Sequence, residues 1–373
     1  MIASGADRPR LREQLGVSLF RQRLPWIGGD LQTLRDTLRP VALPLDQGRP
    51  IQIQVPALAS GAAEAGALLA YLDLPLAATH PAAPVPKSLV VLLHGLGGSS
   101  RREGLRRLGL TLQWAGHAVL RLNLRGADPG RHLAGGTYAA TCNSDLLPVL
   151  KVARELAAEL SAQASTERRL PVYGAGISLG GTMLLNACLE SPNALDGLFC
   201  ASSPLDLAVC SASIERPRNR VYQRWLLQRL VRQTLADPFG TSEQERQELL
   251  KHPRSIRAFD AAVTAPRWGF SSVEDYYAGA SPLPRLLAPD RQLPPTLMLQ
   301  ANDDPWVPAS SAIQLQNTLK NRRLNLSLAP FEVVITAHGG HNGFHGLGET
   351  LKTGCWSDQL ATAWFDCGCQ LLA

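Results

Sequence analysis

The sequence predicts an α/β fold: a mainly parallel twisted sheet flanked by helices, interrupted by a helical insertion. Three observations predict it. Short leucine-rich or β-branched runs alternate with segments of helical periodicity along most of the 373 residues. Two of those runs, Ser88–Leu93 and His117–Leu124, are apolar almost throughout, as strands buried on both faces are. From about 208 to 285 the alternation stops, and several prolines and arginines 216, 218, 220, 224, 229 and 232 appear among helical segments.

Taken in order, residues 49–58 alternate apolar and polar like a half-buried strand, and 66–76 follow as a partner for an early hairpin. Residues 77–87 are rich in Ala, Pro and Thr and read as a loop. Helical spacing with an arginine-rich outer face covers 100–115, and 144–160 is strongly helical with Ser144 or Asn143 as N-cap. Leu170–Ala175 reads as a strand, Leu179–Leu189 as a helix and Gly197–Ala201 as a strand. After the insertion come strands at 295–301 and 331–336 and a last amphipathic helix from 356 to about 372. The expected organisation is an N-terminal segment, 1–48, packing on a core of 49–207 and 286–373, with 208–285 inserted as a helical cap.

Composition narrows the function classes. Apolar residues make up 45% and charged residues 18% of the chain, against a usual charged share of roughly 25%, so a sizeable core is expected and disorder is not. The net charge of +6 comes almost entirely from arginine, with five lysines among 37 basic residues. A surplus that small, with 6% aromatics, argues against a nucleic-acid partner. The seven cysteines form no CxxC pair and no zinc-type cluster, and their odd number fits a reducing compartment. Cys367-Gly368-Cys369 belongs to the last helix. Nothing approaches 18 consecutive apolar residues, and Leu15–Phe20 is a poor signal-peptide core, so a cytoplasmic protein without stable membrane insertion is expected.

The sharpest motif is Gly176-Ile177-Ser178-Leu179-Gly180, followed by Gly181, between a strand and a helix. A strand-to-helix turn this tight needs glycine two places either side of the serine and lifts the hydroxyl above the sheet edge. The alternative is a glycine-rich turn cradling a phosphate at the helix N-terminus.

A hydroxyl needs a base to become a nucleophile. Of eight histidines, His80, His117, His132 and His252 read as solvated residues of loops or element ends. His338, His341 and His345 follow the last strand, where a base descends to meet such a serine. His341 is the expected base and His338 the fallback; a three-histidine metal site and a purely structural role are the competing readings. The base needs a carboxylate to hold its tautomer. Asp303-Asp304 directly follows the preceding strand, giving the chain order Ser, Asp, His. Asp304 is favoured, Asp303 is the alternative acid, and Asp206 is a third candidate. The glycine-rich stretch His94-Gly95-Leu96-Gly97-Gly98 after the first buried strand can aim the Leu96 N–H at the same point as that of Leu179, forming an oxyanion hole. His94 itself reads as a core histidine bonded to the loop backbone.

These motifs together resemble the YheT-like branch of the α/β-hydrolase superfamily, the AB hydrolase 4 family, from about residue 24 to the last helix. Leu31-Gln32-Thr33-Leu34 resembles its N-terminal segment, Asn123-Leu124-Arg125-Gly126 a strand end of its members, and Arg220-Val221-Tyr222 with Ser255–Asp260 its cap. His94–Gly98, Gly176–Gly181, Asp303-Asp304-Pro305 and His338–Phe344 are similar to its oxyanion, nucleophile, acid and base turns. The resemblance implies an α/β-hydrolase fold and hydrolysis of carboxylic or lipid esters by Ser178, His341 and Asp304 or its neighbour, with acyl transfer to an alcohol in some relatives. No metal or organic cofactor is implied. A non-catalytic binding module on the same scaffold is the remaining rival. The cap's arginines read as a solvated helix face, with a lipid headgroup as the alternative partner.

Overall fold

The computed structural model describes residues 14–76, 85–163, 169–251, 253–321 and 330–371. His80 and His252, and most of the loop expected at 77–87, lie outside these. The described residues form an eight-stranded sheet from β1 (Arg49–Val55), β2 (Gly66–Asp73), β3 (Leu89–Leu93), β4 (Ala118–Leu122), β5 (Val172–Ile177), β6 (Gly197–Ala201), β7 (Thr296–Ala301) and β8 (Phe331–Thr336). Their order is β1-β2-β4-β3-β5-β6-β7-β8. The pairs β1/β2 and β2/β4 are antiparallel and all later pairs parallel. The early hairpin is therefore present, with Arg49 opposite Leu72 and Val55 opposite Gly66. Pro50, which cannot donate to a ladder, sits in an edge strand where that loss is tolerated.

Double-sided burial explains the apolar runs. Every residue of β3 and β4 is buried. Leu89, Val91 and Leu93 join one core, which includes the helices Asn143–Gln163 and Leu179–Glu190; Val90 and Leu92 join the other, with Glu103–Trp114 and Trp356–Leu371. The parallel ladders keep strand ends level, pairing Leu93 with Gly176, Ile177 with Ala201 and Ala301 with Thr336. All the loops at these carboxyl ends consequently open on one rim, where open α/β sheets bind ligands.

Between β6 and β7 lie the helices Leu207–Ile214, Arg220–Leu235, Glu243–Leu250 and Val273–Ala280, with shorter helical turns. The first three of these, with the turns at 256–264, share a small core that includes Ile214, Leu226, Leu230, Leu249, Phe259 and Val263, against which Leu96 and Trp306 of the sheet rim pack, whereas Val273–Ala280 joins the main core.

Some local expectations need correction. The strand expected to stop at Ala175 runs to Ile177, so Gly176 is its penultimate residue. The helix expected from residue 144 starts at Asn143, and the carbonyl of Cys142 accepts from Leu146 N–H; neither Ser144 nor Asn143 caps it. His117 is not solvated. It is fully buried, with Ser88 Oγ 2.8 Å from Nδ1 and Asp366 3.3 Å from Nε2. Its place at the start of β4, between two helices and the sheet, decides that. Cys367 and Cys369 lie within the helix Trp356–Leu371, and none of the seven cysteines forms a disulfide.

Candidate active site

The site is built from the ends of β3, β5, β7 and β8. Ser178, between β5 and the helix Leu179–Glu190, has φ 57° and ψ −127°. Left-handed φ in a residue with a side chain costs of order 1–3 kcal/mol and persists only where the surroundings impose it. Here they do: a Cβ on Gly176 would stand 2.3 Å from Gly181 N, and one on Gly180 2.5 Å from the Leu93 carbonyl. The turn closes through hydrogen bonds from Ser178 N–H to Ala201 O (2.8 Å) and from Gly181 N–H to Ser178 O (3.0 Å).

The turn after β8 brings His341 to this serine. His341 Nε2 is 2.9 Å from Ser178 Oγ, and Nδ1 is 2.9 Å from Asp304 Oδ2 and 3.2 Å from Oδ1. The Asp304 carboxylate, wholly inaccessible, is held in turn by the N–H groups of Trp306 (2.8 Å) and Val307 (2.9 Å) on Oδ1 and by Gln300 Nε2 (3.3 Å) on Oδ2. With Nδ1 facing an acceptor-only carboxylate, the proton belongs on Nδ1, and Nε2 presents its lone pair to the hydroxyl. The Trp306 ring stacks on the imidazole at 4.4 Å and fixes its plane.

The other candidates are placed elsewhere. Asp303 accepts from Gly340 N–H (2.9 Å) and faces His338 Nδ1 (3.1 Å). His345 lies between Glu349 (2.9 Å) and Asp36 (3.1 Å) in a buried ionic cluster. The three histidines of this turn thus face different carboxylates and do not converge. Asp206 caps the helix Leu207–Ile214 through Val209 N–H. His94 is buried, its Nδ1 2.9 Å from Gly95 O and its Nε2 accepting from Leu124 N–H (3.3 Å). Burial pushes its pKa down to about 4, so the ring is neutral and braces the loop. That loop touches the nucleophile turn, since a Cβ on Gly95 would lie 2.9 Å from Ser178 Cβ. Leu96 and Leu179 stand on these two neighbouring turns, and neither N–H is engaged by another described residue.

The sequence matches the alpha/beta hydrolase family over residues 90–348. It is also 30% identical to YheT of Escherichia coli, provisionally named an esterase, over 79% of this chain and 80% of that one. The chain belongs to the alpha/beta hydrolase family. Within it, the similarity to YheT places the chain in the YheT-like branch. Phospholipase ABHD3 of Mus musculus is 29% identical over 68% of this chain and 58% of its own length. Medium-chain fatty acid ethyl ester synthase/esterase 2 of Saccharomyces cerevisiae is 29% identical over 59% and 51%. The chain spans little more than half the length of the latter two.

In this α/β hydrolase a cavity of about 330 Å³ opens beside Ser178 and His341. Leu226, Leu230, Ile214 and Phe259 of the inserted helices line it, as do Tyr138 and Arg102 of the core. Cys210 also lines it, but burial pushes its thiol pKa far up and leaves it an inert neighbour. Among the described residues no helix is long and apolar enough to cross a membrane.

Several residues that build the site have no chemical signature in the sequence. Thr33 Oγ1 accepts the His341 N–H (2.8 Å) while donating to Gly29 O (2.7 Å). Gln32 clamps the next turn, accepting from His345 N–H (2.7 Å) and donating to His345 O (3.0 Å). The Leu31–Leu34 motif therefore holds the turn that carries His341. Arg125 forms a fully buried pair with Asp145 (2.7 Å) and donates to Gly135 O and Pro56 O, which explains the motif at 123–126.

Proposed function

We propose that this α/β hydrolase cleaves carboxylic esters, with Ser178 as nucleophile, His341 as general base and Asp304 as the acid that orients the imidazole. The observation that carries the reading is the continuous hydrogen-bonded line Ser178 Oγ–His341 Nε2, Nδ1–Asp304, with 2.9 Å at both links. Both links fall within the 2.6–3.2 Å reach that general-base catalysis requires. The relatives named esterase and phospholipase support the reaction class.

In this reading Ser178 Oγ attacks the ester carbonyl as His341 Nε2 takes its proton. The Leu96 and Leu179 N–H groups receive the charge that develops on the carbonyl oxygen. The imidazolium, stabilised by Asp304, protonates the leaving alcohol, and an acyl group remains on Ser178. Water activated by the same imidazole then releases the acid. The helices between β6 and β7 act as the cap, their apolar side chains providing room for an acyl chain.

Purified parent protein should label at Ser178 with a fluorophosphonate probe and hydrolyse p-nitrophenyl esters in an acyl-length-dependent way. Ser178→Ala should do neither, losing on the order of 10⁶ in turnover if the residues act as a unit. Folded protein that fails to label sinks the reading in favour of a binding module. A second reading, acyl transfer to an alcohol, is favoured by the yeast relative named ethyl ester synthase/esterase. Ester as the main product from an activated ester at modest ethanol concentration would select it.

A further inference from the structure

Buried arginines in this protein are paired with carboxylates. Arg35 meets Asp36 and Glu103, Arg107 meets Asp358, Arg121 meets Asp46 and Asp73, Arg125 meets Asp145, and Arg267 meets Glu245. Two arginines beside the cavity break this pattern. The Arg102 guanidinium lines the cavity and meets no carboxylate or hydrogen-bond acceptor among the described residues. Among the described residues the Arg229 guanidinium bonds only the carbonyl of Gly97, 2.8 Å from Nη2. Both guanidinium groups lie over the indole of Trp225, at 5.8 Å for Arg102 and 4.8 Å for Arg229. Trp225 also lines the cavity and is 39% exposed, so the trio stands at its mouth.

Half-burying a cation without a counter-ion is unfavourable unless something else supplies the charge. An indole face compensates part of it. Burial lowers the pKa of Arg102, and no carboxylate acts to raise it again. Deeper in, the cavity is walled by Leu226, Leu230, Ile214 and Phe259. An acyl chain placed on those side chains leaves the polar end of the same molecule at the mouth.

We propose that Arg102 and Arg229, flanking Trp225, form an anion subsite for a phosphate or carboxylate carried by the non-acyl part of the substrate. The subsite rests on the ester-hydrolase reading and deepens it: the substrate class is an acyl ester with an anionic head. Planar guanidinium groups suit oxyanions because they donate in a fork. The Gly97 contact ties Arg229 to the oxyanion loop, so the subsite and the catalytic turn share one support. Arg102, which meets no carboxylate among the described residues, is the specificity-determining residue.

The test compares two substrates with the same acyl chain, 1-decanoylglycerol and 1-decanoylglycerol 3-phosphate, for the parent, Arg102→Met and Arg102→Lys. The expected parent preference in kcat/KM for the phosphate ester is about ten- to a hundredfold, the worth of a charge-assisted hydrogen bond. It should arise in KM, shrink as sodium chloride rises from 20 to 200 mM, fall towards one in Arg102→Met and be partly restored in Arg102→Lys. A parent that cleaves both esters equally through Ser178 overturns the subsite and leaves the hydrolase standing. A parent that cleaves neither ester and does not label with fluorophosphonate overturns the hydrolase reading instead. Titration with sn-glycerol 3-phosphate, followed by tryptophan fluorescence, then decides the subsite: saturable binding abolished by Arg102→Met upholds it, and no binding overturns it. The same titration serves if Arg102→Met does not fold, with the uncharged Arg102→Gln as the variant.

Discussion

His341 Nδ1 lies 2.9 Å from Asp304 Oδ2, whereas the adjacent Asp303 turns to His338, 3.1 Å away. Two consecutive carboxylates thus serve two different imidazoles. The first pair is buried; the second has His338 57% exposed. Asp304→Asn should lower kcat for ester hydrolysis by about 10⁴, because an amide can hold the wrong imidazole tautomer. Asp303→Asn should change it less than about fivefold, the scale of an exposed ion pair. Steady-state kinetics on one p-nitrophenyl ester checks both, and a larger loss in Asp303→Asn would reverse the assignment.

Gly176→Ala tests the turn that carries Ser178. Its new methyl would stand 2.3 Å from Gly181 N, against backbone that cannot move without shifting the serine. Overpacking of this kind costs typically about 1–3 kcal/mol. A lower Tm together with a larger relative loss of kcat is expected; a fully active, equally stable variant would show that the turn tolerates a side chain.

The Arg125–Asp145 pair, with both side chains essentially inaccessible, should behave as a buried ion pair does. Asp145→Leu strands a buried guanidinium and should cost about 3–5 kcal/mol. Adding Arg125→Met should recover much of that loss, since the charge left behind is then removed. Urea denaturation of the parent, the single and the double variant measures this, and simple additivity would contradict it.

His94 makes the fold sensitive to acid. Its pKa is held near 4 by burial, below the ordinary imidazole value of 6.5. The unfolded chain therefore binds the proton first, and the stabilisation present above pH 6.5 is lost as pH falls towards 4. The loss should run at about 1.4 kcal/mol per pH unit inside that window. His94→Gln should be less stable than the parent at pH 7.5, and the gap should narrow by pH 4.5. Thermal melts across this range check it; a constant gap would mean that His94 does not titrate between the two states.

The alternation of buried runs and helices and the glycine-flanked serine were legible in the chain because each depends on neighbours a few residues apart. Burial on both faces dictates an unbroken apolar run, and a cramped turn dictates glycine, wherever the segment ends up. The other features were settled by packing between distant segments. Asp304 and His341 are 37 residues apart, Ser178 and His341 163, and Thr33 and His341 308. Which of two adjacent carboxylates meets the ring, that Gln32 and Thr33 hold its turn, that His117 is buried, and that Arg102 meets no carboxylate among the described residues follow from which surfaces the folded chain presses together. Local pattern carries no record of that, because the same residue types would be equally at home on a solvated loop.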